Sequence, residues 1–414
     1  MNKLLKLFVL AVFLLANHSL WAQNADDYRA AANKGDAEAQ LLLGACYFEG
    51  SGGVAQDYKQ GVSWITKAAN QGNDLAQCML GACYEEGLGV TQDYKQAVSW
   101  YTKAANQGND LAQYELGECY FYGKGVTQDY KQAVSWLTKA ANQGNADAQF
   151  LLGESYWAGK GVTQDYKQAV SWFTKAANQG EANAQLMLGA CYFKGTGVAQ
   201  DEKQAVSWFT KAANQGNAYA QYNLGTCYYY GSGVTKDNKQ TVLWYTKAAN
   251  QGYAEAQYEL GECYYDGKGV TLDYKQAVSW YTKAANQGNA EAQYKLGECY
   301  YFGDGTTQDY KQAASWYTKA VNQGHVKAQL ELGNCYYHEH DYKQALYWYT
   351  EAANQGNVVA QATLGSWYYD GLNGVTKDNK QAEYWFNKVM DNPSASENAK
   401  SSAREFLNEL NQEP

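Results

Sequence analysis

Four glutamates, Glu118, Glu154, Glu262 and Glu298, stand three residues before an aromatic side chain (Phe121, Trp157, Tyr265, Tyr301) and four residues after another (Tyr114, Phe150, Tyr258, Tyr294). Tyr222 and Tyr229 repeat the aromatic part of this pattern with Thr226 between them. Spacings of three, four and seven place such residues on one face of a helix. Carboxylates among rings could select a cationic partner, with the rings supplying contact area at low entropic cost. Acid–base catalysis is a second chemistry open to carboxylates. Glu115 with Glu118 and Glu259 with Glu262 stand three residues apart, but such work needs a pocket that perturbs them, which no open helix face provides.

Other reactive residues are weaker candidates. His338 and His340 flank Glu339 in a short turn, without the helical HExxH or paired-cysteine spacing of a zinc site, and read as a solvated turn. The glycine-rich stretch GKGVTQD lacks the lysine and hydroxyl of a phosphate-binding loop, and it recurs too often to be one. No metal ligand set and no cofactor site is expected. Eight of the nine cysteines, from Cys46 to Cys335, occupy a single repeat position. Neighbouring copies would lie about 10 Å apart, too far for a disulfide, so they read as buried thiols. Cys78 is a stray.

The positioning elements follow from the repetition. The seventeen letters from Asp93 to Asn109 return unchanged from Asp273 to Asn289, and a partner phrase recurs about every 36 residues from Ala39, Ala76, Ala112, Ala148, Ala184, Ala220, Ala256, Ala292, Ala328 and Ala360. Ten supersecondary units stacked into one core follow. In each, a first helix carries an inward stripe such as Ala292, Leu296, Cys299 and Tyr300, and Gly297 permits close approach. A second helix is capped by a residue such as Asp273, carries Ala277, Trp280 and Ala284 inward, and stops at Gly288. Tyr274, Lys275, Ser279, Thr282 and Lys283 fall outside. With prolines only at 393 and 414, the chain reads as all-α.

The phrase A-x-x-x-L-G-x-x-Y-x-x-G-x-G-V-x-x-D-x-x-x-A-x-x-W-x-x-x-A-A-x-Q-G resembles the Sel-1-like repeat, a relative of the tetratricopeptide repeat. The resemblance implies a right-handed α-solenoid superhelix whose first helices line a concave groove. Residues 39–392 then form ten repeats, 23–38 an N-terminal capping half-repeat, and 393–414 a C-terminal capping helix and tail. Repeat nine, YYHEHDYKQALYWYTEA, lacks four loop residues and resembles a plain tetratricopeptide turn.

Residues 1–22 read as a signal peptide, with Lys3 and Lys6 before an apolar run too short to span a membrane, so a periplasmic or secreted protein is expected. Its removal makes the formal charge of −9 two units more negative. Such a surface disfavours nucleic acid and anionic membranes. The expected function is a monomeric, non-enzymatic interaction scaffold that binds a protein or peptide, with basic segments, along the aromatic and acidic first-helix stripe. A glycan or peptidoglycan binder is the alternative. A cell-wall or β-lactam hydrolase, an activity proposed for cysteine-rich members with disulfide-clamped repeats, fits less well because the two-cysteine pattern is missing.

Overall fold

The computed structural model describes residues 25–410. The expected signal peptide, residues 1–22, lies outside them. Twenty-two helices and no strands occur among the described residues. Contacts divide the chain at Gln215 and Gly216 into two units. The first holds a single helix, Ala25–Asn33, followed by helix pairs from Ala37–Glu49 with Tyr58–Asn70 to Ala182–Lys194 with Glu202–Asn214. The second runs from Ala218–Tyr230 with Asn238–Asn250 to Val358–Asp370 with Asn379–Asp391, and ends in Glu397–Leu410.

The boundaries of each pair are written in short polar residues. Asp273 accepts from the Gln276 backbone N–H at the start of Tyr274–Asn286, and Asn289 accepts from the Ala292 N–H at the start of Ala290–Phe302. Gly303, at φ 83°, closes the latter helix in the left-handed conformation that costs glycine least. The two helices of a pair meet at a glycine. A Cβ on Gly261 would lie 2.5 Å from the Tyr281 ring, so the first helix can approach only because that atom is missing.

The core lies between the second helix of one pair and the first helix of the next. Ala277, Tyr281, Ala284 and Ala285 pack there with Ala292, Leu296 and Cys299. A polar stitch runs beside it. The buried amide of Gln257 donates to the Ala249 carbonyl of the preceding pair at 3.0 Å, and its oxygen accepts from Gln287 at 2.8 Å. The same bridge recurs within the first unit, where Gln113 joins Ala105 to Gln143. Each such bond contributes about 1 kcal/mol, and the larger penalty falls on leaving the buried amide unpaired.

Candidate functional site

The first-helix stripe is organised around one ring from the second helix. The residue after the tryptophan is Ile65, Tyr101, Leu137, Phe173, Phe209, Tyr245, Tyr281, Tyr317, Tyr349 or Phe386 in successive repeats, and every one is buried. Counted from the alanine that opens each repeat phrase, such as Ala112, the aromatics flanking the glutamates are the third and tenth positions of the stripe, and their side chains lean on this buried residue. Phe150 and Trp157 lie 5.9 and 6.4 Å from Phe173 between ring centres. In the second unit Tyr222 stacks on Tyr245 at 5.6 Å, Tyr258 and Tyr265 flank Tyr281 at 6.1 and 6.4 Å, and Tyr294 lies 5.6 Å from Tyr317. Tyr114 packs beside the cluster that holds Leu137, and Phe121 is buried in it. The remaining aromatics of the stripe are half-buried.

The four glutamates differ in surroundings. Glu262 accepts a short hydrogen bond from the Tyr281 hydroxyl, and burial raises its carboxyl above the ordinary range. Glu154 is raised mainly by burial, against the pull of Lys160. Glu298 pairs with Lys295 at 3.0 Å, and Glu118 with Lys124 at 3.6 Å. Glu259, one turn before Glu262, is lifted to about 7 by desolvation first and by Glu262 second.

The outer edge of the tenth position meets the loop of the following repeat. Tyr265 donates to Asp304 at 2.8 Å, Lys268 to the Tyr229 oxygen at 3.3 Å, and Lys160 sits 5.1 Å from the Phe121 ring centre. Glu85, which stands where the other repeats have an aromatic, accepts from Tyr101 at 2.8 Å and meets Lys124 at 3.5 Å. Tyr301 hydrogen-bonds His338 at 2.9 Å, and that imidazole stacks on Tyr310 at 4.5 Å. His340 bonds the Tyr342 hydroxyl, so the two histidines turn to separate tyrosines. Among the described residues no cluster of three or more His, Cys, Asp or Glu is arranged to hold a metal.

All nine cysteines are free thiols, and all but the half-buried Cys46 are buried. Burial pushes the Cys83 thiol up to about 12 and that of Cys191 to about 11, which leaves both as un-ionised hydrophobes at neutral pH. The outer lysines are engaged as well. Lys103, Lys139, Lys247 and Lys283 each cover the tryptophan three residues earlier at 3.6 to 3.9 Å.

Helical spacing puts the next position along the stripe on the same face, but sequence reasoning did not single out its residues. Tyr122, Tyr230 and Phe302 are 54, 71 and 61% exposed, and each stands edge-on to the ring before it at 4.9 to 5.0 Å. The signal was available: other repeats place Glu49, Ala158, Lys194 or Asp266 there, so an aromatic is a departure from the repeat.

Capped helix pairs meeting at a glycine, and stacked through alanine, leucine and glutamine, define an all-α repeat solenoid. The Sel1 repeat model matches residues 37–73, 74–109, 110–145, 146–181, 182–217, 218–253, 254–289, 290–325, 326–357 and 358–388, and the chain belongs to this family. It is similar to a protective antigen of uropathogenic Escherichia coli strains with an SLR fold, at 39% identity over 88% of this chain and 79% of that one, with a TM-score of 0.80. A Sel1 repeat protein from Oxalobacter formigenes is 36% identical over 77% of this chain and 91% of that one, with a TM-score of 0.56. No curated protein matches. Among the described residues no helix is long and apolar enough to cross a membrane.

Proposed function

We propose that this chain is an exported, non-enzymatic scaffold that binds a protein or peptide partner on the first-helix stripe of its repeats. The carrying observation is the exposure of Tyr122, Tyr230 and Phe302, which extend a stripe whose other rings are already committed to the repeat's own packing. Within its own repeat each exposed ring, beside partly or fully buried aromatics and polar side chains, offers an anchor with a polar margin, the composition that interfaces favour. Glu118, Glu154, Glu262 and Glu298 then select for Lys or Arg on the partner. Export is supported by the leader-like residues 1–22 and by the description of the Escherichia coli relative as a protective antigen.

The test compares the wild type with a Tyr122→Ser, Tyr230→Ser, Phe302→Ser variant. The variant exchanges rings that are more than half exposed and should lose little of its melting temperature. Proteins recovered from envelope and host extracts by the wild type are identified and titrated against both forms, beside a glycan array. At least a tenfold loss of protein affinity in the variant is expected. Unchanged affinity overturns the site, and array binding without protein binding replaces the reading with a glycan binder, whose rings would stack on sugars.

A further inference from the structure

In most repeats the loop between the two helices folds back over the second helix of the preceding repeat. Val90, Val126, Val198 and Val270 of these loops pack on the clusters that contain Val62, Val98, Val170 and Val242. The second loop glycine makes the contact close: a Cβ on Gly89 would lie 2.9 Å from a Val62 methyl and 2.3 Å from the Tyr58 carbonyl oxygen. Repeat nine has lost this loop. Its first helix, Lys327–His338, is followed after three residues by Tyr342–Asn354. The helix it should cover is altered at the same place, because the position that is valine from Val62 in the first repeat to Val278 in the seventh is Ala314 in the eighth. Both changes remove atoms from one space. A cleft of about 490 Å³ is left, with Ala314, Ser315 and Thr318 on one wall and Cys335 and Tyr336 on the other. Lys311 and Glu339, paired at 3.5 Å, and Asp341 form its rim.

We infer that this cleft is a docking site for a partner's glycine-flanked turn that presents a valine and a lysine, the chemistry of the loop that fills the equivalent space elsewhere in the chain. The valine takes the apolar floor at Ala314, where the repeats' own loop valines pack. Glycines on either side of the lysine, the second directly before the valine, let the backbone approach the helix without Cβ clashes, as at Gly89. Glu339 and Asp341 outnumber Lys311 at the rim and favour a cation on the turn, as Lys268 of DGKGVTLD would supply. The site lies between the second helix of repeat eight and the Cys335–Tyr336 face of the next first helix, apart from the aromatic stripe, so it does not depend on the proposed function of that stripe.

The probe is the capped peptide DGKGVTLD, residues 266–273 of this chain, followed by ligand-observed saturation-transfer NMR with the intact protein. Transfer should be strongest at the valine methyls, and a peptide with aspartate in place of valine should bind about tenfold more weakly or worse, the change that corresponds to about 1.4 kcal/mol. Two variants close the cleft: Ala314→Leu fills the floor, and Ser315→Trp, at an exposed position, overhangs it without touching the core. Loss of transfer in Ser315→Trp with helical content unchanged supports the site even if Ala314→Leu folds poorly. Absence of transfer to the wild type, equal transfer to both peptides, or transfer undiminished in Ser315→Trp overturns it.

Discussion

Glu262 and Glu298 occupy the same position in consecutive repeats, yet their chemistry differs because the residue one turn earlier on the same helix is Glu259 in one and Lys295 in the other. Glu262 accepts from the hydroxyl of buried Tyr281, whereas Glu298 pairs with the partly buried Lys295. Glu262→Ala strands that hydroxyl in the core and should lower unfolding stability by about 2 kcal/mol. Glu298→Ala removes a partly buried ion pair between residues three apart on one helix and should cost under about 1 kcal/mol. Urea melts of the two variants check this; equal losses would show that the Tyr281 bond contributes nothing. Read from the sequence alone the four glutamates look interchangeable, because what separates them is partly the residue one turn earlier, Glu259 or Lys295, and partly a second-helix residue that varies among Ile, Leu, Phe and Tyr. Variation between repeats suggests a surface position, but here it marks the most deeply buried ring. The space is bounded by two helices of one repeat and the first helix of the next, so each copy can refill it differently. The cysteines were legible for the opposite reason: a small residue that recurs at one position in eight of ten repeats leaves burial as its simplest role.

At the scale of the helix pair, sequence discloses what is local. Caps at Asp273 and Asn289, left-handed glycines at helix ends, and the close approach at Gly297 beneath Tyr317 follow from residue type and spacing. The glutamine stitch does not, because a helical glutamine directly before a variable stripe reads as surface. It is buried because its amide is long enough to reach the last turn of the preceding second helix. Gln257→Ala deletes the donor to Ala249 and the acceptor for Gln287 together. A loss of about 2 kcal/mol is expected, with hydrogen exchange accelerated at residues 249–252 and 287–289, where the joined ends lie. Gln287→Ala, which leaves the Ala249 bond intact, should cost about half as much. A loss confined to helix propensity, below about 0.5 kcal/mol for both, would show the stitch to be energetically idle.

On the whole-molecule scale, a stack in which each pair touches only its neighbours needs a surface to end on. The second unit ends on Glu397–Leu410, whose Phe406 lies parallel to Phe386 at 4.7 Å and meets Tyr369 at 5.4 Å, while Glu409 accepts from the Tyr369 hydroxyl at 3.0 Å. Tyr369 holds the tenth stripe position of the last repeat, so Glu409 takes the place that Asp304 holds against Tyr265. The capping helix substitutes for both the next repeat's first helix and its loop. If coupling is between nearest neighbours, damage at this end stays there. Phe406→Ala exposes the Phe386 face and should cost about 2 kcal/mol, less than a fully buried phenylalanine because the ring is partly open. Hydrogen exchange should rise in Asn379–Asp391 and Glu397–Leu410 and remain unchanged in Tyr274–Asn286, three repeats away. Acceleration spread evenly through the second unit would mean that its repeats open together, and nearest-neighbour coupling would then fail as a description of how this array is held.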